Sequence, residues 1–305
     1  MLIDLTDTTT GDIRAALTKA RDQLGGPTTG VVLNLIIVAD ETSQHDAVRA
    51  ASQAGREHPC RVLAVIARDP RGESRLDAEI RTGEGAPGQT VLLRMYGPMS
   101  LHADSVVAPL LVPDTPVVTW WPGTGPAAPS ASPLGALAQR RVTDAAAASV
   151  PGEALAALAS GYRPGDTDLA WTRATTWRSL LAATLDQQHA EISGGVVIAE
   201  EHNPSADLIA AWLTDRLGVP FRRDVSGGPG ITQVTFSSSE GDITISRPDG
   251  RNATLTRADQ PERYVALHRR DAAELLAEEL RRLDPDEIYR ESLAQFAAGA
   301  AAQGS

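Results

Sequence analysis

The side chains best suited to acid–base chemistry stand directly after two predicted strands. Glu200, Glu201 and His202 follow an apolar strand and precede a helix, and Asp40 and Glu41 follow an earlier strand. In open α/β sheets the carboxyl ends of the strands face the usual ligand crevice, so a carboxylate and an imidazole there could act as an acid and a base. We favour a simpler interpretation, a polar loop whose charges meet water, because charged residues are mostly exposed.

Two glycine-rich loops invite comparison with nucleotide-binding motifs. Residues 83–88 match G-x-G-x-x-G by letter, and residues 227–230 form a second such loop. The motif holds a pyrophosphate only where a strand precedes it and a helix follows, because the free N–H groups of that helix bind the phosphates. Since a strand pattern follows each loop, we predict strand-connecting turns and no bound nucleotide.

The sequence contains no motif for catalysis or ligand binding by a lysine, a histidine pair or a nucleophilic serine. The only lysine, Lys19, lies in a polar helical stretch that fits neither Schiff-base catalysis nor a phosphate-binding loop. The histidines lack the close spacing of a zinc motif, and no Gly-x-Ser-x-Gly elbow presents a nucleophilic serine. We therefore predict a protein without catalytic residues, cofactor or metal, which acts by binding another protein.

Composition and charge indicate an ordinary folded protein that does not bind nucleic acid. The 305 residues are 42% hydrophobic and 22% charged, close to the globular average. The net charge of −11 would repel a phosphate backbone, and arginines alternate with acidic residues without forming a basic stripe.

The sequence predicts a cytoplasmic location. The single cysteine, Cys60, cannot form an intrachain disulfide, which fits a reducing compartment. Acidic residues stand near the amino terminus where an export signal would need basic ones. The longest apolar run, residues 31–39, is far shorter than the roughly 20 residues that cross a bilayer, so we expect no membrane contact.

Hydrophobic periodicity predicts an α/β arrangement in the first half of the chain. A helix over residues 13–24 precedes a strand over residues 31–38 that is apolar on both faces, as a covered central strand would be. A helix and a second strand complete a βαβ unit, which favours parallel pairing. Two hairpin strands, a helix near residues 101–110 and a strand over residues 117–121 follow.

The second half has a similar order of elements. A proline-rich loop over residues 122–133 and an alanine-rich helical connector lead into it, and we place the domain boundary between residues 160 and 161. A long helix over residues 168–188, strands, a helix over residues 204–217 and closing amphipathic helices follow. We predict two mixed-sheet halves, domains 1–160 and 161–305, with helices packed on the sheets, and the similar order suggests a structural duplication.

Trp120 and Trp121 stand side by side at the end of the strand over residues 117–121. Adjacent strand residues point to opposite faces, so both side chains cannot easily enter one core. One tryptophan would then be exposed and available to a partner, since aromatic residues are enriched at binding hot spots. Burial of both under helices on each face is the alternative.

The most distinctive segment, residues 162–178, combines arginines and tryptophans at a predicted helix start. On a helical wheel Arg173 falls within an apolar stripe and needs a partner, for which Asp166 or Asp168 is the local candidate. Trp171 and Arg178 project together from another side. A structural ion pair and a surface for a partner or an anion both remain open. The candidate partner-binding residues are Trp120, Trp121, Asp166, Asp168, Trp171, Arg173, Trp177 and Arg178.

The chain resembles the glucose-6-phosphate dehydrogenase assembly protein family, OpcA. The resemblance is carried by residues 165–187, GDTDLAWTRATTWRSLLAATLDQ, of which residues 165–178 are the distinctive part, and by residues 118–122, 134–145 and 277–285. It extends over nearly the whole chain. Many arginines beside one lysine suit an actinobacterial member.

This resemblance implies a non-enzymatic accessory protein that binds glucose-6-phosphate dehydrogenase, favours its active oligomer and raises its activity. It would support oxidative pentose phosphate flux and NADPH supply. The family is linked to redox control through cysteines in photosynthetic bacteria, but Cys60 alone cannot form an intramolecular switch. An alternative of another class is an enzyme or sensor that binds a sugar phosphate at the strand ends near Asp40 and Glu200 to His202.

Overall fold

Two mixed β-sheets organise the chain, which is described by a computed structural model over residues 1–24, 31–82, 88–186 and 191–303. The contacts separate it into two compact units, each built from three stretches of sequence. The first unit comprises Met1–Asp144, Arg163–Thr167 and Ala272–Pro285, and the second comprises Ala145–Tyr162, Asp168–Asp271 and Asp286–Ser305.

The first sheet has eight strands, most of them in the first unit. They are β1 (Leu2–Leu5), β2 (Leu33–Ala39), β3 (Cys60–Ala67), β4 (Arg75–Thr82), β5 (Gly88–Tyr96), β6 (Val117–Trp120), β7 (Arg140–Thr143) and β8 (Asp166–Asp168). Their spatial order is β1-β4-β5-β3-β2-β6-β7-β8. The run from β5 to β7 is parallel, whereas β4 pairs antiparallel with both β1 and β5.

The second sheet has six strands and is mostly antiparallel. They are β9 (Ile192–Ala199), β10 (Phe221–Val225), β11 (Ile231–Ser238), β12 (Ile243–Ser246), β13 (Asn252–Thr256) and β14 (Arg263–Ala266). The order is β10-β9-β11-β12-β13-β14, and only β10 and β9 pair in parallel.

The described residues form nine α-helices. They are α1 (Thr10–Leu24), α2 (Gln44–Ala54), α3 (Ala103–Val107), α4 (Pro151–Gly161), α5 (Leu169–Arg173), α6 (Thr175–Leu185), α7 (Pro204–Leu217), α8 (Ala272–Arg281) and α9 (Glu287–Gln303). None of these helices is both long and apolar enough to span a bilayer.

The core of the first unit forms where α1 packs against the hairpin side of the sheet. Ile13 and Leu17 lie one helical turn apart and are buried, so they present one apolar face. Leu76, Ala78 and Ile80 alternate along β4 and join the same cluster. Burial of each large apolar side chain contributes roughly 1.5–3 kcal/mol, which fixes the register of this edge of the sheet.

Helix α7 shows how local signals determine an element of the second unit. Asn203 caps its start, because its side chain accepts the N–H of Ala206 at 3.0 Å, and Pro204 occupies the first turn. Gly218 ends the helix at a φ of 66°, where a glycine is not strained. The predicted bounds, residues 204–217, are confirmed.

The predicted fold class is confirmed, but three of its elements are corrected. The connector over residues 134–160 is not wholly helical, because it contains strand β7 before α4. The helix over residues 168–188 is broken at Ala174 into α5 and α6. The helix near residues 101–110 is a short α-helix between two 3-10 turns. The sheets differ in strand number and direction, so the suggested duplication is not confirmed.

The domain division at residue 160 stays a prediction. The contacts assign α4 to the second unit and α8 to the first, so each unit is discontinuous in sequence. The sequence does not reveal to which unit such a helix belongs, because hairpin and periodicity signals report only on residues that are close along the chain.

Cys60 is expected to be inert in the folded protein. It opens β3, is fully buried, and burial raises the pKa of its thiol to about 12. The neutral thiol should therefore resist a thiol reagent at pH 8 and react readily after unfolding in urea. Because the unfolded thiol ionises near pH 9, this group should also make folding less stable as the pH rises above that value. Rapid labelling of the native protein would contradict the prediction.

Candidate functional site

Asp166 anchors the start of the distinctive segment inside the first unit. Its Oδ1 accepts the Nε–H of Arg141, and its Oδ2 accepts the backbone N–H of Arg163 at 2.7 Å. Arg141 also donates to the carbonyls of Ala138, at 2.6 Å, and Pro164, at 2.5 Å. Both charged side chains are buried, so the ion pair replaces the water that each would otherwise bind.

Replacement of Gly165, which lies beside this ion pair, is expected to destabilise the folded protein. Its φ is +93°, and an added Cβ would lie 2.2 Å from the carbonyl oxygen of Gln139. Gly165→Ala should therefore lower the free energy of unfolding by about 1–3 kcal/mol from the backbone conformation alone, with the clash adding to this.

The matched control is Gly299→Ala in the interior of α9, where an added Cβ meets nothing within 4 Å. That variant should gain up to about 1 kcal/mol, because alanine favours the helix. Urea unfolding followed by circular dichroism measures both. Equal effects would mean that the loop at Gly165 readily adopts another conformation.

Asp168 caps α5 in the second unit. It is fully buried, its Oδ1 accepts the N–H of Ala170 at 2.8 Å, and its Oδ2 accepts the N–H of Ala145 at 2.8 Å. One carboxylate therefore satisfies two backbone donors that would otherwise be unpaired. Of Asp166, Thr167 and Asp168, each of which has a side chain suited to a helix cap, Asp168 is the residue that caps α5.

Trp171 lies at the centre of an aromatic cluster in the second unit. It is 1% exposed, and its indole N–H donates to Oδ2 of Asp286 at 2.8 Å. The guanidinium of Arg178 lies 3.6 Å from the ring centroid, and the ring of Tyr289 lies 5.9 Å away. The predicted proximity of Trp171 and Arg178 is confirmed, and the stacking is a cation–π contact. We call Trp171, Arg178, Asp286 and Tyr289 the Trp171 cluster.

Trp177 faces a different surface of the same unit. It is 2% exposed, and the guanidinium of Arg247 lies 5.0 Å from its ring centroid. Arg173, half-buried, and Trp177 both line a small pocket with Arg247. Trp171 and Arg178 thus contact each other, whereas Arg173 and Trp177 share the pocket, and each pair has one member on α5 and one on α6.

Of the two alternatives for the adjacent tryptophans, exposure of one is wrong and burial of both is confirmed. Trp120 is 2% and Trp121 5% exposed. The reason is strand β7, which the sequence did not reveal: it pairs with β6, and the N–H of Trp121 donates to the carbonyl of Val142 at 2.9 Å. An internal strand covered on both faces buries residues of either orientation.

Sequence reasoning missed a second buried ion pair in the first unit. Arg140 on β7 donates from Nη2 and Nε to Oε2 of Glu279 on α8, at 2.5 and 3.1 Å, and from Nη1 to the carbonyl of Asp284. The pair joins residues 139 positions apart. Its only signal in the sequence is a pair of adjacent arginines before Val142 and Thr143, and such a pair is equally typical of a solvated turn.

The residues proposed for acid–base chemistry do not form a site. Glu201 and His202 are exposed and 3.8 Å apart, while Glu200 accepts the side-chain N–H of Asn203 at 3.1 Å. Asp40 accepts hydrogen bonds from the hydroxyl and backbone N–H groups of Ser43 and Thr42. These bonds lower the pKa of its carboxyl group to about 2. Asp40 therefore holds a turn as a carboxylate.

The remaining motif predictions have two outcomes. Residues 227–230 lead into β11, so the predicted turn before a strand is confirmed. The first glycine-rich loop, residues 83–88, lies outside the described residues except for Gly88, which begins β5. Across the described ranges, no three His, Cys, Asp or Glu residues come together as metal ligands.

The fold and the site define a two-sheet α/β protein in which a tryptophan–arginine segment is held by buried polar contacts. Two family models match the chain. The model described as the glucose-6-phosphate dehydrogenase subunit N-terminal domain covers residues 51–160, and the corresponding C-terminal domain model covers residues 164–293. The chain therefore belongs to the glucose-6-phosphate dehydrogenase assembly family, OpcA, as its resemblance indicated.

Comparisons with individual proteins add little to this assignment. No curated protein matches the chain. Among solved structures, an oxidoreductase from Sinorhizobium meliloti is 11% identical, with a TM-score of 0.41 over 88% of this chain and 87% of that one. An inositol dehydrogenase homolog from Azotobacter vinelandii, complexed with NADH and myo-inositol, is 9% identical, with a TM-score of 0.42 over 90% of this chain and 89% of that one. Similarity this weak carries no statement about activity.

Proposed function

We propose that this protein is a non-enzymatic accessory protein that binds glucose-6-phosphate dehydrogenase in the cytoplasm, promotes its active oligomer and activates it. The protein would thereby support oxidative pentose phosphate flux and NADPH supply. The observation that carries the proposal is the match of both halves of the chain to the domains of one glucose-6-phosphate dehydrogenase subunit family.

Activation by binding requires a difference in affinity between two states of the dehydrogenase. A partner raises activity only if it binds the active oligomer more tightly than the inactive form, and the shift cannot exceed that difference. Coupling free energies of this kind are about 1–3 kcal/mol, a change of roughly 5- to 150-fold.

We further propose that residues 166–178 contribute to the partner-binding surface through Arg173 and Arg178. Both side chains are half-buried, whereas the other candidates are buried and would support the surface from beneath. Arg178 is preorganised for contact, because it stacks on Trp171 and donates to the hydroxyl of Thr175 at 3.1 Å.

The direct experiment mixes the purified chain with glucose-6-phosphate dehydrogenase from the same organism. Sedimentation velocity should show a complex and a shift of the dehydrogenase towards its larger oligomer. Initial rates should rise, either through a lower substrate requirement or through faster turnover. If neither a complex nor a rate change is found, the proposed function is wrong.

The surface proposal is tested separately with Arg178→Ala. This variant should weaken binding to the dehydrogenase, whereas Arg222→Ala, which removes an exposed arginine on β10, should not. Circular dichroism confirms that each variant is folded before binding is compared. Equal binding by both variants would place the interface elsewhere and leave the accessory function standing.

A further inference from the structure

A small basic pocket in the second unit shares Arg173 with the proposed partner surface, and its other charged residues have no role in that surface. Its volume is about 70 Å³, and its lining includes Arg173, Arg247, His268, Arg269 and Arg270. No aspartate or glutamate is among the described residues that line it. A concave surface with this composition, in a chain of net charge −11, concentrates positive charge in one place.

Arg247 is the buried cation of this pocket. It is 4% exposed and donates from Nη1 to the carbonyl of Leu267 and from Nη2 to the carbonyl of Ile231, each at 3.0 Å. Its Nε is buried and has no hydrogen-bond partner among the described residues. Neutral carbonyls therefore satisfy two donors of the guanidinium without balancing its charge.

The electrostatic surroundings of Arg247 favour an anion. Burial, with the neighbouring charge of Arg269, lowers the pKa of Arg247 to about 10, so the group still carries its charge at neutral pH. Asp249 exerts the opposite effect, but its carboxylate is held by the backbone N–H groups of Arg251 and Asn252, at 2.8 and 2.9 Å. A buried cation without a paired carboxylate is costly unless a ligand supplies the negative charge.

Arg269 brings a second positive charge to the same place. A Cβ added to Gly230 would lie 3.4 Å from Nη2 of Arg247 and 3.8 Å from Nε of Arg269, so both guanidinium groups approach one point. Arg269 is exposed and forms no ion pair with a described residue. Two like charges that converge in this way repel each other unless an anion lies between them.

The amino terminus of α7 adds one backbone donor and the helix dipole. The helix has 14 residues, and Asn203 and Ser205 in its first turn both line the pocket. Asn203 caps the N–H of Ala206, while Pro204 has no N–H. The N–H of Asp207 donates to the carbonyl of Asn203, so only the N–H of Ser205 remains, and with the positive end of the helix dipole it favours a bound anion.

We propose that this pocket binds the phosphate group of a small phosphorylated molecule, or free phosphate, between Arg247, Arg269 and the amino terminus of α7. Guanidinium groups match the geometry of tetrahedral oxyanions, because their N–H donors form a planar fork. The volume is far below the roughly 300–1,000 Å³ of pockets that enclose a drug-sized ligand, so the phosphate group enters and the rest of the molecule stays outside.

The test measures binding to the chain alone, so it is independent of the dehydrogenase and of the proposed function. Inorganic phosphate and glucose 6-phosphate are titrated at constant ionic strength by calorimetry, with glucose as the uncharged counterpart. Both phosphates should bind saturably and raise the melting temperature with concentration, whereas glucose should do neither. Tighter binding of the ester would identify a phosphorylated sugar as the ligand class, and equal binding would identify free phosphate.

The decisive variant is Arg269→Ala, because its side chain is exposed and its loss should not prevent folding. This variant should weaken phosphate binding about tenfold or more, since it removes a charge-assisted contact. Arg263→Ala on β14 removes an exposed arginine from the same unit and serves as the matched control. Failure of phosphate to bind at millimolar concentration, or equal binding by the two variants, would overturn the proposal.

Discussion

Replacing Glu279 with alanine is expected to lower the free energy of unfolding of the first unit by about 3–5 kcal/mol. The side chains of Arg140 and Glu279 are 6% and 5% exposed. Removal of the carboxylate leaves the guanidinium of Arg140 buried with the carbonyl of Asp284 as its remaining partner. Urea unfolding, followed by circular dichroism, measures the loss.

Two control variants distinguish the cost of leaving a buried charge unpaired from the cost of losing any ion pair. Asp224→Ala breaks the exposed pair with Arg222 on β10 and should cost about 0–1 kcal/mol. The double variant Arg140→Met and Glu279→Met should recover much of the stability, because apolar side chains of similar volume do not have to be desolvated as charges. A loss below about 1 kcal/mol for Glu279→Ala would mean that water reaches the pair.

Replacing Trp171 with alanine should be comparably damaging to the second unit, at about 3–5 kcal/mol. The change opens a cavity beneath Arg178 and Tyr289 and leaves Asp286 without the indole N–H. Asp286 also accepts the N–H of Tyr289 at 3.0 Å, so the start of α9 depends on the same carboxylate. The melting temperature and urea midpoint report the effect.

Trp171→Phe is the matched variant, because it keeps an aromatic face for Arg178 and removes the hydrogen bond. It should cost less than Trp171→Ala, at about 1–3 kcal/mol. The difference between the two gives the contribution of packing. If both variants cost the same, the hydrogen bond to Asp286 would dominate and the packing argument would fail.

The sequence predicted best those elements whose ends carry local chemical signals. Helix α7 has a cap, a proline and a terminal glycine, and its bounds agree with the prediction. Strand β10 carries similar signals, since a proline precedes it and glycines follow. Such signals act within a few residues, which is why they can be read without the rest of the fold.

Strand β7 was missed because its residues pair with distant groups. Its four residues are Arg140, Arg141, Val142 and Thr143, and all are buried. Two adjacent arginines are typical of an exposed surface. Their burial depends on Glu279 and Asp166, which lie 139 and 25 positions away. Local propensity carries no information about partners at these separations.

The sequence by itself determined the fold class, the family and the segment at residues 162–178, because apolar periodicity and residue types are local properties. The tertiary structure alone decided which of the selected side chains are accessible. It buried all four candidate tryptophans and gave Asp166 the distant partner Arg141. It also brought Arg247 and Arg269 together at Gly230. Burial and charge pairing depend on what the folded chain places within a few ångströms, and distance along the sequence does not specify this.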